Sequence, residues 1–549
     1  MTDLQLSVLS DRYALPGETS WPQVARRVAN ALADTGNERQ EFFEVLEPML
    51  FILGGRVLFA AGNTAQVTPY NCFVLPMPED SRQGIMESLW QWVEVQARGG
   101  GVGINMSSLR PNGAPVRGVQ GFSSGPIAWM ELFSTATHRV IQQGGSRRGA
   151  AMLILNDNHP DIMAFIRAKM VPGVLLGANL SVNVSDKLIG AVKNDAEWQL
   201  TWEGSVYNTI RARDLWSMII ASTWASGEPG VVFLERANRM SNAQYCEELI
   251  ATNPCAEQPM GAFGTCLLGA VNLAKFVKGN GDWDTSALHA VTNVATRMLD
   301  NVIDRAYYPL PETEIAQKRL RRLGIGTMGL ADALVDMGLR YGEEDAVHAT
   351  EDAFKNIKQA AYLTSAALAY NKGAFPAYTD KWVESPFVRS MGAGYVRYAA
   401  EHGVRNCFLT SQAPTGTIAK LAGVWAGIEP FFAKETFFTN RLGNFSMQAP
   451  DSPYTVLAQD VPVEGHIAMM AAAQRHVDSA VSKTVNAPEW HTLEDTDKAY
   501  QLAYDSGLKS LAYYRDKSRN TQVQWDNEKD ALAAEREWEA TCNLTGVCN

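Results

Sequence analysis

Short apolar runs recur along this chain, each set between longer stretches whose apolar residues fall at helical spacing. Ala151-Met152-Leu153-Ile154-Leu155, Gly230-Val231-Val232-Phe233-Leu234 and Cys407-Phe408-Leu409-Thr410 read as strands. Val291, Val294, Ala295, Met298 and Val302 lie on one face of a helix that ends before Pro309. Alternation of this kind predicts an α/β fold. The first 70 residues read as mostly helical, with Pro22 opening a stretch in which Val24, Val28 and Leu32, then Phe42, Phe43, Leu46 and Leu50, keep helical spacing. Residues 85–98 repeat the pattern, with Met86, Leu89, Trp90 and Val93 on one face, and the cluster Gly99-Gly100-Gly101-Val102-Gly103 ends it. Residues 110–126 are loop-like, and a Gly/Arg stretch at 144–150 precedes the strand at 151.

Length and composition narrow the class. A chain of 549 residues exceeds one ordinary domain, and 46% hydrophobic against 19% charged residues allows a sizeable core. Forty-eight basic against 59 acidic residues leave a net charge of −11, which makes the chain a poor candidate for a general binder of nucleic acid or a membrane surface. No apolar run is long enough for a transmembrane helix, and the first residues carry neither a basic leader nor an apolar signal core. A cytoplasmic protein is expected. Seven scattered cysteines do not make a disulfide scaffold and fit a reducing compartment, where a cysteine is either core filler or reactive.

Asn253-Pro254-Cys255-Ala256-Glu257 carries the strongest chemistry. Asn-Pro favours a turn, and a thiol and a carboxylate two residues apart share one side of an extended segment. Cys266 follows in Gly264-Thr265-Cys266. These residues allow a nucleophilic cysteine, a redox site or plain core filler. With no HExxH, no CxxC pair and no histidine beside these cysteines, zinc and a Cys-His hydrolase are weakly supported, and no metal site is expected. In Pro414-Thr415-Gly416-Thr417-Ile418, two hydroxyls around a glycine lead into an apolar helical run, a pattern that suits an anion at a helix N-terminus. From about residue 518 the chain turns polar and ends with Cys542 and Cys548, which reads as a mobile tail.

Taken in order, YNCFVLP with Asn71 and Cys72, GGGVGINMSSLRPNGAPVRG, GGSRRGAAMLIL, NPCAEQP with a cysteine soon after, and APTGTIAKLAG resemble the catalytic subunit of a ribonucleotide reductase from about residue 20 onward. The resemblance implies a ten-stranded α/β barrel with a central finger loop over residues 71–517, a helical region over 1–70 and a redox tail over 518–549. It implies that Cys255 becomes a thiyl radical that takes the 3′ hydrogen of the ribose, with Glu257 as base and Asn253 bonding the sugar. Cys72 and Cys266 then supply two electrons and end as a disulfide. Cys542 and Cys548 reduce that disulfide, and thioredoxin or glutaredoxin recharges the tail. Asn71 and the Pro414–Ile418 loop bind the ribonucleotide. Asp80, Ser81 and Arg117 bind a nucleotide effector (a deoxynucleoside triphosphate or ATP), with loops at 116–126 and about 168–178. Cys246 and Cys407 match no role in the family.

Two branches of the family are mixed here. The spacing from Cys255 to Cys266 and the opening residues resemble the adenosylcobalamin-dependent branch. The pair Tyr513-Tyr514 resembles the branch that receives its radical from a separate ferritin-like small subunit. Tyrosine has an accessible one-electron oxidation, so this pair is read as a relay, and a ferritin-like partner carrying the metal centre is the expected radical source, with adenosylcobalamin as the alternative. The N-terminal ATP-binding cone of many large subunits is expected to be absent, and a homodimer is an open expectation. A redox-switched nucleotide binder without turnover would not need Cys255 and Glu257 together. The glycyl-radical branch would need a glycyl loop near the C-terminus.

Overall fold

A computed structural model describes residues 1–141, 149–171, 173–440 and 443–518. Three helices open the chain, Asp3–Arg12, Trp21–Leu32 and Gly36–Leu46. Thr2 and Gln5 close a reciprocal capping box on the first, and Ser20 with Gln23 does so on the second. The stretch expected to be helical is interrupted by the strand Phe51–Leu53, which pairs antiparallel with Leu268–Asn272 and ties this region to a sheet.

Among the described residues the largest sheet has eight strands. Five lie parallel in chain order: Cys72–Val74, Gly101–Asn105, Ala151–Asn156, Asn179–Asn183 and Gly230–Val232. Ser510–Arg515 runs antiparallel to Gly230–Val232 and parallel to Thr484–Ala487, and Thr265–Cys266 runs antiparallel to Cys72–Val74 at the other edge. A three-stranded sheet joins Phe51–Leu53, Leu268–Asn272 and Gly324–Met328. Two isolated parallel bridges continue from it, Ile325 to Thr410 and Gln412 to Val481. The fold is mixed α/β, as expected. The strand read at 407–410 reduces to the one bridge at Thr410, because the Asp478 carboxylate accepts the Leu409 and Thr410 N–H groups (2.7 and 3.1 Å) in place of a neighbouring strand. The strand read at 230–234 stops at Val232, and Leu234 opens a helix.

Both faces of the sheet are covered. Phe73, Leu153, Val231, Leu511 and Tyr513 join the large cluster under the helices, which include Thr285–Arg305 and Glu344–Lys372. Cys72, Val74, Met152, Ile154, Val232, Cys266 and Leu268 form a second apolar cluster on the opposite face, together with Ala251 and Met260. Alternation along each strand produces this division. The helix Arg82–Ala97 forms where expected but turns a different face inward: Ile85, Trp92 and Val95 are buried, whereas Met86 and Trp90 are exposed. The glycines after it continue into a strand, Gly101–Asn105, rather than only ending the helix. No helix among the described residues is long and apolar enough to cross a membrane.

Candidate functional site

The NPCAE segment is the tip of a narrow hairpin. Ala251–Thr252 pairs antiparallel with Pro259–Met260, and residues 253–258 connect them. The connection is a turn, not the extended segment read from the sequence. Ala256 takes a left-handed conformation (φ 65°) and its N–H donates to the Asn253 carbonyl at 3.0 Å. The i, i+2 argument for Cys255 and Glu257 therefore does not apply: Cys255 is exposed at the tip and Glu257 is buried. The Asn253 Oδ1 accepts the Gln258 N–H at 2.9 Å, which braces the turn, and the fully buried Asn253 Nδ2 has no partner among the described residues.

Distant residues hold this hairpin. Asn105 Nδ2 donates to the Ile250 carbonyl (3.1 Å), and Asn179 Nδ2 donates to the Pro254 carbonyl (3.2 Å). The Glu257 carbonyl accepts from the Ser411 hydroxyl and the Ala480 N–H, both at 2.9 Å. Against Gly103 the hairpin passes so closely that a Cβ there would stand 1.7 Å from the Thr252 carbonyl oxygen. The glycine cluster at 99–103 was thus a signal for close backbone passage. Asn105, Asn179 and Ser411 had no comparable signal, since nothing local distinguishes them from other polar residues.

Cys72 and Cys266 are both buried and directly opposite each other in the antiparallel register of their strands. A Cβ built on Gly101 would meet the Cys72 Sγ at 3.1 Å and the Pro254 Cγ at 3.2 Å, so the Cys72 sulfur and the residue before Cys255 border the same small space. Half-buried Asn71 precedes Cys72, and its N–H donates to the Cys266 carbonyl at 3.0 Å.

The Pro414–Ile418 segment also takes a special conformation. Thr415 is left-handed (φ 56°), its Oγ1 accepts the Gly427 N–H at 2.7 Å, and Gly416 begins the helix Gly416–Ala422. Gly416 and Thr417 are exposed. The first N–H groups of a helix have no partner within it, and here they open on solvent.

The expected effector residues are already engaged. Asp80 accepts Arg110 Nε at 2.7 Å and the Arg110 N–H at 3.0 Å, and the Ser81 hydroxyl caps the helix Arg82–Ala97 through the Gly84 N–H. Arg117 is exposed between the short strands Pro115–Val116 and Gly121–Phe122. Arg110, which joins Asp80 to this hairpin through the Pro115 carbonyl (3.0 Å), was not singled out in the sequence. Cys407 is buried, which pushes its thiol well up, and burial also raises Cys246. Cys542 and Cys548, part of the Gly/Arg stretch and Pro172 in the second expected effector loop lie outside the described residues.

Comparison with known proteins agrees with this architecture. The family described as "Ribonucleotide reductase, barrel domain" matches residues 70–452 and 446–514. A "Vitamin B12-dependent ribonucleoside-diphosphate reductase" of Mycobacterium tuberculosis (strain CDC 1551 / Oshkosh) is 34% identical over 98% of this chain and 83% of its own length. One of the same name from Thermoplasma acidophilum is 33% identical over 89% of this chain and 66% of its own. A "Ribonucleoside-diphosphate reductase large subunit" of Caenorhabditis elegans is 29% identical over 68% and 53%. The chain belongs to the ribonucleotide reductase family. Within it, the chain is a catalytic subunit and an oxidoreductase.

The expected radical source needs correction. The Mycobacterium and Thermoplasma relatives are named vitamin B12-dependent, which contradicts a ferritin-like small subunit as partner and a metal centre carried on it. The tyrosine pair does not outweigh this, because Tyr513 is buried as part of the core. Tyr513 and Tyr514 are successive residues of one strand and point to opposite faces of the sheet. Tyr513 lies with Leu511 in the cluster under the helices, its hydroxyl 3.0 Å from His491 Nδ1, while Tyr514 turns to the other face. A phenol packed in this way has a structural role that does not require electron transfer.

Proposed function

We propose that this enzyme reduces ribonucleoside diphosphates to 2′-deoxyribonucleotides by thiyl-radical chemistry at Cys255, with a B12 cofactor as radical source. One observation carries the reading: Cys72 and Cys266 oppose each other in register, and the Cys72 sulfur borders the space over Gly101 together with Pro254, the residue next to Cys255. Directly opposed residues of antiparallel strands have Cα atoms about 4.5–5.5 Å apart, within the range a disulfide spans. The pair can give up two electrons and close an S–S bond without moving a strand.

Each residue then has a task. Cys255 takes the 3′ hydrogen of the ribose, and the buried Glu257 carboxylate accepts the 3′-hydroxyl proton. Asn253 Nδ2, buried and unpartnered among the described residues, is available to bond the sugar. A proton from the Cys72–Cys266 pair lets the 2′-hydroxyl leave as water, and the 3′ hydrogen returns from Cys255. Ribonucleotide and two thiols become deoxynucleotide, water and disulfide. The first N–H groups of the helix Gly416–Ala422, with Asn71, hold the phosphates and sugar, which suits a diphosphate.

The exposed position of Cys255 fits a cofactor that meets it directly, with the half-buried Ala256 beside it. When bound, that cofactor would supply the radical that takes the hydrogen atom of the Cys255 S–H bond and leaves a thiyl radical on sulfur. The ten-stranded barrel around this site is part of the same reading. It is supported by the five parallel strands from Cys72–Val74 to Gly230–Val232 and by a second parallel succession, in which the isolated bridges Ile325 to Thr410 and Gln412 to Val481 link the pair Leu268–Asn272 and Gly324–Met328 to the pair Thr484–Ala487 and Ser510–Arg515. The barrel spans residues 71–517, after the helical region 1–70. Residues 518–549 carry Cys542 and Cys548 as the dithiol that reduces the internal disulfide by exchange. Asp80, Ser81 and Arg117 form the effector site, with Arg110 transmitting occupancy from Asp80 to the hairpin at Pro115.

The test is turnover of cytidine diphosphate by the purified chain with dithiothreitol and adenosylcobalamin and no second protein. Deoxycytidine diphosphate is expected, and none from Cys255→Ser, whose O–H bond is too strong to yield the radical. Multiple turnover by Cys255→Ser sinks the mechanism. Parent activity only with an added protein sinks the radical source.

A further inference from the structure

We infer that the buried Lys483–Glu429 pair positions the Pro414–Ile418 loop and so sets how tightly that loop holds the phosphates of a nucleotide. The inference rests on the reading of this loop as the phosphate site.

Lys483 is fully buried, and its ammonium makes three bonds: to Glu429 Oε2 at 2.9 Å, to His466 Nδ1 at 2.7 Å and to the Thr484 carbonyl at 2.8 Å. That exhausts its donors. The second Glu429 oxygen accepts the Thr484 N–H at 2.9 Å. His466 Nε2 lies 3.0 Å from the Ala458 carbonyl, so the ring donates there and accepts from Lys483 as neutral imidazole. Burial and the Lys483 charge hold its pKa well below the usual histidine range.

Glu429 is one end of a turn whose other end is also tied. The Trp425 N–H donates to Asp332 Oδ2 (2.8 Å), and the Trp425 carbonyl accepts the Gly329 N–H (2.8 Å). Between these anchors the Gly427 N–H donates to Thr415 Oγ1 at 2.7 Å. Gly427 itself is pressed against the loop: a Cβ there would stand 3.2 Å from both the Ala413 carbonyl and Gln412 Nε2. Thr415 is a non-glycine residue in the left-handed region, a conformation that persists only when its surroundings impose it. The chain of contacts therefore runs from Lys483 through Glu429 and Gly427 to Thr415, the residue that aims the N–H groups at the start of the helix Gly416–Ala422. None of the residues from Gly427 to Lys483 has to touch the substrate for this. Lys483 and Glu429 are positioning residues.

The test is steady-state kinetics on the full chain with its cofactor and reductant, comparing Glu429→Gln, Lys483→Met and the double variant with the parent. Gly416→Val serves as control, since a side chain there enters open space where a phosphate would sit. Expected is a rise of about tenfold in KM for the ribonucleoside diphosphate, with kcat within about threefold, the signature of lost ground-state binding. The double variant should be no worse than the worse single one, because both act through one tether. Effector affinity should not change. If Lys483→Met does not fold, Glu429→Gln decides, its carboxylate being part-exposed. An unchanged KM in Glu429→Gln with a raised KM in Gly416→Val overturns the tether and leaves the loop reading standing. An unchanged KM in both overturns the loop reading and the tether with it. A joint fall in kcat, substrate affinity and effector affinity marks general damage and also overturns the tether.

Discussion

Cys72 and Cys266 are opposed residues on two antiparallel strands, and the Pro254 ring next to Cys255 borders the same space as the Cys72 sulfur. The buried pair Cys72 and Cys266 thus lies beside the hairpin whose tip carries the exposed Cys255.

This arrangement makes the internal pair a two-electron reservoir that needs refilling. Cys72→Ser and Cys266→Ser should each lose turnover even with dithiothreitol. Cys542→Ser or Cys548→Ser should instead retain roughly one turnover per chain with thioredoxin and recover multiple turnover with dithiothreitol, which reaches the buried pair directly. Rapid-quench product counts per chain distinguish the two patterns. Equal support of parent and tail variants by thioredoxin would remove the tail from the cycle.

Gly103→Ala tests the passage of the hairpin. The added Cβ would fall 1.7 Å from the Thr252 carbonyl oxygen, backbone that cannot rotate aside. Overpacking of this kind costs about 1–3 kcal/mol and shifts what it touches. Turnover should fall by about two orders of magnitude, since a misplacement of about 1 Å at a reacting group can cost that much. Parent-like turnover with an unchanged melting temperature would show that the hairpin does not depend on this contact.

Tyr513→Phe should keep turnover. Its hydroxyl lies 3.0 Å from His491 Nδ1 on the face under the helices, so removing it costs about 1 kcal/mol of stability and no step of the reaction. Denaturant melts and turnover with adenosylcobalamin, measured together, check this. Abolished turnover in a folded variant would reinstate a role for the phenol.

Asp332 gives stability a pH dependence of known sign. Burial raises its carboxyl to about 6, although the Trp425 N–H bond lowers it. An unfolded aspartate titrates near 4, so between about pH 4 and 6 the folded chain binds more protons than the unfolded one. Stability falls as pH rises through that window and the loss is complete above it. Against an Asp332→Asn variant the parent should lose on the order of 2 kcal/mol between pH 4 and pH 7. Melting curves at both pH values check this, and a constant difference would refute it.

Much of the site was legible in the sequence because its chemistry sits in short segments. Asn253–Glu257, Asn71-Cys72, Cys266 and Pro414–Ile418 fall at the hairpin tip, the opposed strands and the helix start. Strand and helix periods likewise predicted Ala151–Asn156, Arg82–Ala97 and Thr285–Arg305, because local spacing reflects which side of an element is apolar. Periodicity does not say which of two apolar stripes faces inward, and Met86 and Trp90 proved to be outside. Nor does adjacency reveal role: Tyr513 is a buried core residue of its strand, and the radical source read from the tyrosine pair was overturned by the relatives named vitamin B12-dependent. Asn105, Asn179, Ser411 and Lys483 act on backbone carbonyls or carboxylates brought from distant parts of the chain. Residue types and spacings determined the chemistry this chain carries. The register of strands far apart in sequence, decided only by packing, determined which groups meet.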